Sequence, residues 1–310
     1  MLKKDDLPTT LFLSGGNIKG PIQAGILKTL KNNGYLNDID TYIGISIGSV
    51  ICLLLNLNVD DENIIPLLYE IYIDQIIKKI KLDSLLTITD KYGLINIETL
   101  FVKIKKYIVE KYDKELTMKE LYDKTEKTLE IITFNQSKQK EVVISYKTHP
   151  NLSCIKAIAM SCNIPLIFTK IEYKNDLYID GVFAHYFPKT EKNIICVITT
   201  SKEDGINDII SYIYNIYRIQ YSDNYDSILK DIDDNYNVII TECYDIRLLT
   251  KYKNKQIKES YNYGLNVGYK FMQSTSSQNN KSIICKDKWV QKKLDTNVDQ
   301  LLQNELIWKK

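Results

Sequence analysis

Three short segments carry the residue types that acyl-transfer chemistry requires. The first is Gly44-Ile45-Ser46-Ile47-Gly48, set between an apolar run that reads as a strand and another that reads as a helix. A sharp strand-to-helix turn strains the backbone of its central residue and tolerates only small flanking residues. Glycines on both sides of Ser46 fit that turn, which would hold the serine hydroxyl clear of the sheet as a nucleophile. Its place at a helix N-terminus favours the negative charge that develops in acyl transfer. Taken alone, these five residues read equally well as a glycine-containing turn with an ordinary N-cap serine.

The second segment, Ser14-Gly15-Gly16-Asn17-Ile18-Lys19-Gly20, also joins a strand to a helix and would expose several backbone N–H groups at one point. A dinucleotide fingerprint would need glycine at Asn17, and no GK[ST] ending makes a phosphate loop. An oxyanion hole built from Gly15, Gly16 and Asn17 is the better reading, because Ser46 ends the next strand and the two loops can meet. Lys19 reads either as a cation that orients the loop or meets a phosphate, or as a solvated surface lysine. The third segment is Leu177-Tyr178-Ile179-Asp180-Gly181, an apolar strand ending in a carboxylate. Asp-Gly turns are common, but a carboxylate at a strand end can face the same sheet edge as the other two loops.

The elements that must position these segments follow from periodicity. Thr9–Ser14 and Thr41–Ile45 read as strands, with helices at Pro21–Lys31 and Ile47–Leu57. Residues 60–128 are more charged and helical in pattern, which predicts a helical insertion. Strands resume at Leu129–Phe134, Glu141–Tyr146, Leu177–Ile179, Ile194–Thr199 and Val238–Thr241, with helices at Ser153–Ser161 and Glu259–Met272. This alternation predicts a three-layer α/β/α sandwich on a mostly parallel sheet. Gln273–Lys281 has linker composition, so the domain is expected to span residues 8–272. A helical tail would then occupy 282–310, with Val298, Leu301, Leu302 and Leu306 as its apolar stripe behind a Thr296 cap, and with Trp289 and Trp308 beside lysines. That tail reads as a helix docked on the body, with a membrane-surface anchor as the alternative.

Composition excludes other classes of function. A net charge of +2 over 310 residues gives no field for nucleic acid. The six cysteines form no CxxC pair and have only two histidines to join them, so neither a metal nor a cofactor is expected and a reducing cytoplasm fits. The N-terminus reads as neither a secretory signal nor a transit peptide. Thr41–Val59 is uncharged and nearly long enough to span a bilayer, but Gly44, Ser46, Gly48 and Ser49 interrupt it, so it reads as strand, turn and buried helix.

Taken together, the segments resemble the patatin-like phospholipase family from Pro8 to Met272. LFLSGGNIKGPIQAGILKTL is similar to its glycine-rich oxyanion block and the helix that follows. GISIG is similar to its nucleophile elbow, YIDG to its Asp-Gly, and Ala157-Ile158-Ala159-Met160-Ser161-Cys162-Asn163-Ile164-Pro165 to its helix ending in Ile-Pro. Asn17 stands where a third glycine is usual, and asparagine tolerates a left-handed backbone. Val182, His185 and Tyr186 replace the glycine and asparagines that commonly follow the Asp-Gly. The resemblance implies a Ser46–Asp180 dyad supported by Lys19, Gly20, Gly44, Gly48 and Gly181. It further implies hydrolysis of acyl esters of glycerolipids, such as glycerophospholipids at a membrane surface, without a metal.

In that chemistry Asp180 accepts the proton of Ser46, which works best if burial raises its pKa, and Tyr178, Ile179 and Phe183 would supply the apolar surroundings. A Ser-Asp-His triad of the α/β-hydrolase kind needs a histidine late in the domain, and neither His149 nor His185 sits there. A catalytically silent lipid-binding or scaffold protein is the reading from another class. The expected location is the cytoplasm, with peripheral membrane contact.

Overall fold

The computed structural model describes residues 7–16, 19–68, 71, 88–190, 192–202, 235–244, 254–278 and 282–285. The expected tail at 282–310 therefore lies outside the described residues except for Ser282–Cys285. Asn17 of the glycine-rich loop lies outside them as well.

The chain begins as a β/α unit. Strand β1 (Thr10–Leu13) leads through the glycine loop into helix α1 (Gly20–Asn32), and strand β2 (Thr41–Ile45) turns at Ser46 into helix α2 (Ile47–Asn56). β1 and β2 pair in parallel, Thr10 opposite Thr41 and Leu13 opposite Gly44. Nearly every residue of α2 is buried, which an interior helix can accept because its own backbone hydrogen bonds are satisfied. Among the described residues no helix is long and apolar enough to cross a membrane.

Between residues 60 and 128 the described residues form α3 (Asp61–Leu68), α4 (Ile88–Lys91), α5 (Val102–Tyr112) and α6 (Met118–Thr125). Thr117 caps α6 reciprocally with Glu120: each side chain takes a backbone N–H that the first turn leaves over. The same stretch holds a short strand, β3 (Gly93–Ile95), with no counterpart in the sequence reading. β3 pairs with β6 (Leu166–Phe168) as a separate two-stranded sheet.

The main sheet has nine strands among the described residues. β4 (Thr128–Asn135) lies beside β2, and β9 (Ile194–Lys202), β10 (Tyr236–Tyr244) and β11 (Ser282–Cys285) extend the sheet from β1; these four pairings, like that of β1 with β2, are parallel. Beyond β4 the sheet turns antiparallel through β5 (Lys140–Ile144), β8 (Asp176–Ile179) and β7 (Ile171–Tyr173). The architecture is α/β as expected, with a mixed sheet flanked by helices. Alternate residues of the central strands face two cores: Leu11, Leu13 and Val197 join the helices, while Phe12, Ile43, Ile45, Cys196 and Ile198 pack with Val182, Ala184, Tyr186 and Phe187.

Helix α7 (Cys154–Ser161) runs under this site edge, and α8 (Asn254–Gln278) crosses α1 with their backbones in contact. α8 corrects the expected linker, because Gln273–Gln278 is its last turn and a half and the following Ser282–Cys285 is a sheet strand. The helix survives its polar composition because Ser274 and Thr275 donate their hydroxyls back to the Phe271 carbonyl, at 2.8 and 3.2 Å, instead of breaking the turn.

The α1–α8 crossing depends on glycine. A Cβ on Gly264 would collide with the Ile22 carbonyl, and one on Gly25 with the Tyr261 carbonyl. Gly264→Val is expected to cost about 2–3 kcal/mol of stability by forcing the helices apart. Chemical denaturation checks this, and a substitution that costs nothing would show that the crossing gives way.

Candidate active site

Strand register explains how residues 134 positions apart meet. Ile45 lies opposite Ile132 on β4, so Ser46 is level with Thr133. On the other side of β4, Ile179 pairs with Phe134, so one step further Asp180 is also level with Thr133. The sequence reading placed Asp180 at the same strand-end edge as the other loops. In fact β8 runs against β4, and Asp180 reaches the site from the opposite direction. This is possible because β4 continues past the end of β2 and gives β8 a ladder there. Ser46 Oγ donates to Asp180 Oδ2 at 2.7 Å, and Val182 N–H donates to Asp180 Oδ1 at 2.9 Å.

Ser46 has φ 51 and ψ −125, a strained conformation for a residue with a side chain. Close packing holds it there. A Cβ on Gly44 would strike Ser49 and one on Gly48 the Leu13 carbonyl, so both glycines of the elbow are needed for backbone approach. The Ser46 N–H donates to Ser161 Oγ at 2.9 Å, and that hydroxyl donates to the Ile132 carbonyl at 2.6 Å. Ser49 returns both its N–H and its hydroxyl to the Ser46 carbonyl, at 2.8 and 2.6 Å. Asp180 is anchored from the same side, its N–H donating to the Asn163 carbonyl at 2.9 Å.

Burial sets the electrostatics. Asp180 is 1 % exposed, and loss of water pushes its pKa up to about 7, against the lowering effect of the Val182 N–H and the Ser46 hydroxyl. A carboxylate with this pKa is a useful base near neutrality. Gly15 packs against the pair: a Cβ there would lie 2.7 Å from Val182 Cγ1 and 3.6 Å from Ser46 Cβ. Gly181 presses on the Ile132 carbonyl, and Gly20 on Ile47. Lys19 is buried, not a solvated surface lysine, and its N–H closes the loop onto the Gly16 carbonyl at 2.9 Å. His149 stacks obliquely near Tyr173, its Nδ1 3.0 Å from Thr148 Oγ1, and His185 ends the 3₁₀ turn Gly181–Ala184 with φ 49.

The sequence reading brought Ser46, Asp180, Gly15 and Gly16 together, and the structure does so as well. It missed Ser161, Asn163, Gln23 and Thr199, which hold the loops in place. Gln23 left one signal: a glutamine four residues before Leu27, on the apolar side of α1.

With this geometry in place, the chain can be assigned to a family. The patatin-like phospholipase model matches residues 11–189, more than half of the chain, and the protein belongs to that family. It is 36 % identical over 190 residues to a protein named probable lipid hydrolase 463L of Invertebrate iridescent virus 6, covering 58 % of this chain and 61 % of that one. It is 32 % identical over 183 residues to uncharacterized protein R571 of Acanthamoeba polyphaga mimivirus, covering 58 % and 60 %. The chain thus matches about three fifths of the length of these curated relatives. Among solved structures the fold is similar to VipD from Legionella pneumophila (TM-score 0.55, 14 % identity, 90 % of this chain and 72 % of that one). It is also similar to the type III effector protein ExoU (TM-score 0.50, 14 % identity, 87 % and 54 %), from Pseudomonas aeruginosa.

The raised pKa of Asp180 carries a stability consequence. Between its ordinary value near 3.8 and about 7, the folded protein keeps a proton that the unfolded chain has lost, so stability falls as pH rises through that window. Asp180→Asn is expected to be more stable than the parent at pH 8, by on the order of a few kcal/mol, and no more stable at pH 4. Thermal melts at the two pH values check this, and an equal effect at both would show that the carboxylate is not held protonated by the fold.

Proposed function

We propose that this protein is a lipid acyl hydrolase acting through a Ser46–Asp180 dyad. The observation that carries the proposal is the 2.7 Å hydrogen bond from the strained Ser46 hydroxyl to a buried carboxylate with pKa near 7. Asp180 takes the Oγ proton as Ser46 attacks the ester carbonyl carbon, and the N–H groups of Gly15 and Gly16 receive the oxyanion. Collapse of the tetrahedral intermediate expels the alcohol, which takes the proton back from Asp180 and leaves an acyl-Ser46. Water, deprotonated by the same carboxylate, then attacks the acyl carbon; collapse releases the fatty acid, and Asp180 returns the proton to the leaving Ser46 Oγ.

Glycerolipids such as glycerophospholipids are the proposed substrates, supported by the family and by the relative named as a probable lipid hydrolase. Contact with the substrate is proposed at a membrane surface, from the cytoplasm. The silent-scaffold reading rested on the altered block after Asp180. Against it, Val182 of that block donates its N–H to the carboxylate, so the substituted sequence still serves the site.

Ser46→Ala and Asp180→Asn are each expected to reduce hydrolysis of a soluble p-nitrophenyl ester by on the order of 10⁴-fold, with the double variant no slower, because the residues act as one unit. His149→Ala and His185→Ala should keep most of the rate. Asp180 puts the acidic limb of kcat/KM near 7, close to where a histidine would put it, so the decisive result is that the limb persists in both histidine variants. Collapse of either folded histidine variant, with loss of the limb, would replace the dyad by a triad.

A further inference from the structure

The loop that would receive the oxyanion is oriented by side chains with no part in the dyad. Two successive carbonyls are drawn to one side: Gln23 Nε2 donates to the Ser14 carbonyl at 2.9 Å, and the Gly15 carbonyl accepts from Ser14 Oγ at 3.0 Å and Thr199 Oγ1 at 3.4 Å. Gln23 Nε2 also reaches Thr199 Oγ1, 3.4 Å away, and the Thr199 N–H donates to Ser14 Oγ at 3.0 Å. The groups form one cluster in which Ser14 and Gln23 are fully enclosed and Thr199 is buried.

A trans peptide points its C=O and the next N–H in opposite directions. Holding the Ser14 and Gly15 carbonyls toward Gln23 and Thr199 therefore turns the Gly15 and Gly16 N–H groups the other way. The loop passes close beside the nucleophile, for a Cβ on Gly15 would sit 3.6 Å from Ser46 Cβ, and it presses on β9, for one on Gly16 would strike Thr199 Oγ1. Among the described residues neither glycine N–H has a hydrogen-bond partner. Two adjacent donors so directed form a concave anion site.

We infer that Gln23 and Thr199 are positioning residues that fix the two N–H donors on Ser46, a reading that rests on the proposed hydrolase chemistry. Their placement suits this role, since Thr199 stands on β9 and Gln23 on α1, both rigid elements. Among the described residues Gln23 Oε1 is buried without a partner, a cost the position carries while its Nε2 holds the Ser14 carbonyl. Leucine would remove that orphaned acceptor but would also leave the Ser14 carbonyl without its donor, so its effect on the fold is a modest net cost.

The test uses Thr199→Val, Thr199→Ser and Gln23→Leu in the full chain, assayed on a soluble p-nitrophenyl ester with thermal melts alongside. Thr199→Val and Gln23→Leu are expected to lower kcat about 10- to 100-fold, less than outright loss of a donor, with KM little changed and the protein still fully folded at the assay temperature, whatever the small loss of Tm. Thr199→Ser, which keeps the hydroxyl, should restore most of kcat, and the acidic limb set by Asp180 should stay in place in all three. An active parent with unchanged kcat in folded Thr199→Val and Gln23→Leu would overturn the inference, as would loss of rate in step with loss of Tm. If Thr199→Val does not fold, Gln23→Leu and Thr199→Ser carry the same comparison. A parent that does not hydrolyse the ester, and does not differ from Ser46→Ala, would instead overturn the hydrolase reading beneath it.

Discussion

A carboxylate buried against a hydroxyl is the constraint around which this structure is arranged. Asp180 has lost nearly all its water, and among the described residues its charged form has two short donors, the Ser46 hydroxyl and the Val182 N–H. In a low-dielectric setting small displacements of those donors matter, because little water is left to solvate the charge. The main-chain approaches around the pair are accordingly tight. Gly44 against Ser49, Gly48 against the Leu13 carbonyl and Gly181 against the Ile132 carbonyl are positions where no Cβ fits, so three strands and a helix close on the pair with little slack.

The same arrangement is costly to the fold. Ser46 carries a backbone strain worth of order 1–3 kcal/mol, and a carboxylate held in a dry site opposes folding above its raised pKa. Both costs are met by the surrounding apolar packing, most of it on the α2 and α7 side of the sheet, where Val50, Ile51, Leu53, Ala157 and Ile158 are fully enclosed. Stability lost at a site and recovered elsewhere is the pattern expected where selection acts on chemistry.

Much of this was legible in the sequence, and the rest was hidden for physical reasons. β1, β2 and α2 were readable because apolar runs broken by glycine at 15, 16, 44 and 48 admit few local structures. β3, β6 and β7 were not, since three residues are too few to show a period. The polar run after Met272 imitated a linker because composition does not reveal hydroxyls bonding back to a helix turn. The antiparallel course of β8 is a property of strand pairing that no local pattern encodes. Ser161 and Thr199 went unseen as site residues because their partners lie 115 and 185 positions away in the chain.

The central claim is that burial beside Ser46 lifts Asp180 into the neutral range and makes it the base. Carbon-13 NMR of the aspartate carboxyl groups across pH measures this directly. One resonance is expected to titrate near pH 7 and to be absent in Asp180→Asn. An Asp180 resonance that titrates near 4, with the protein still folded and active, would contradict it.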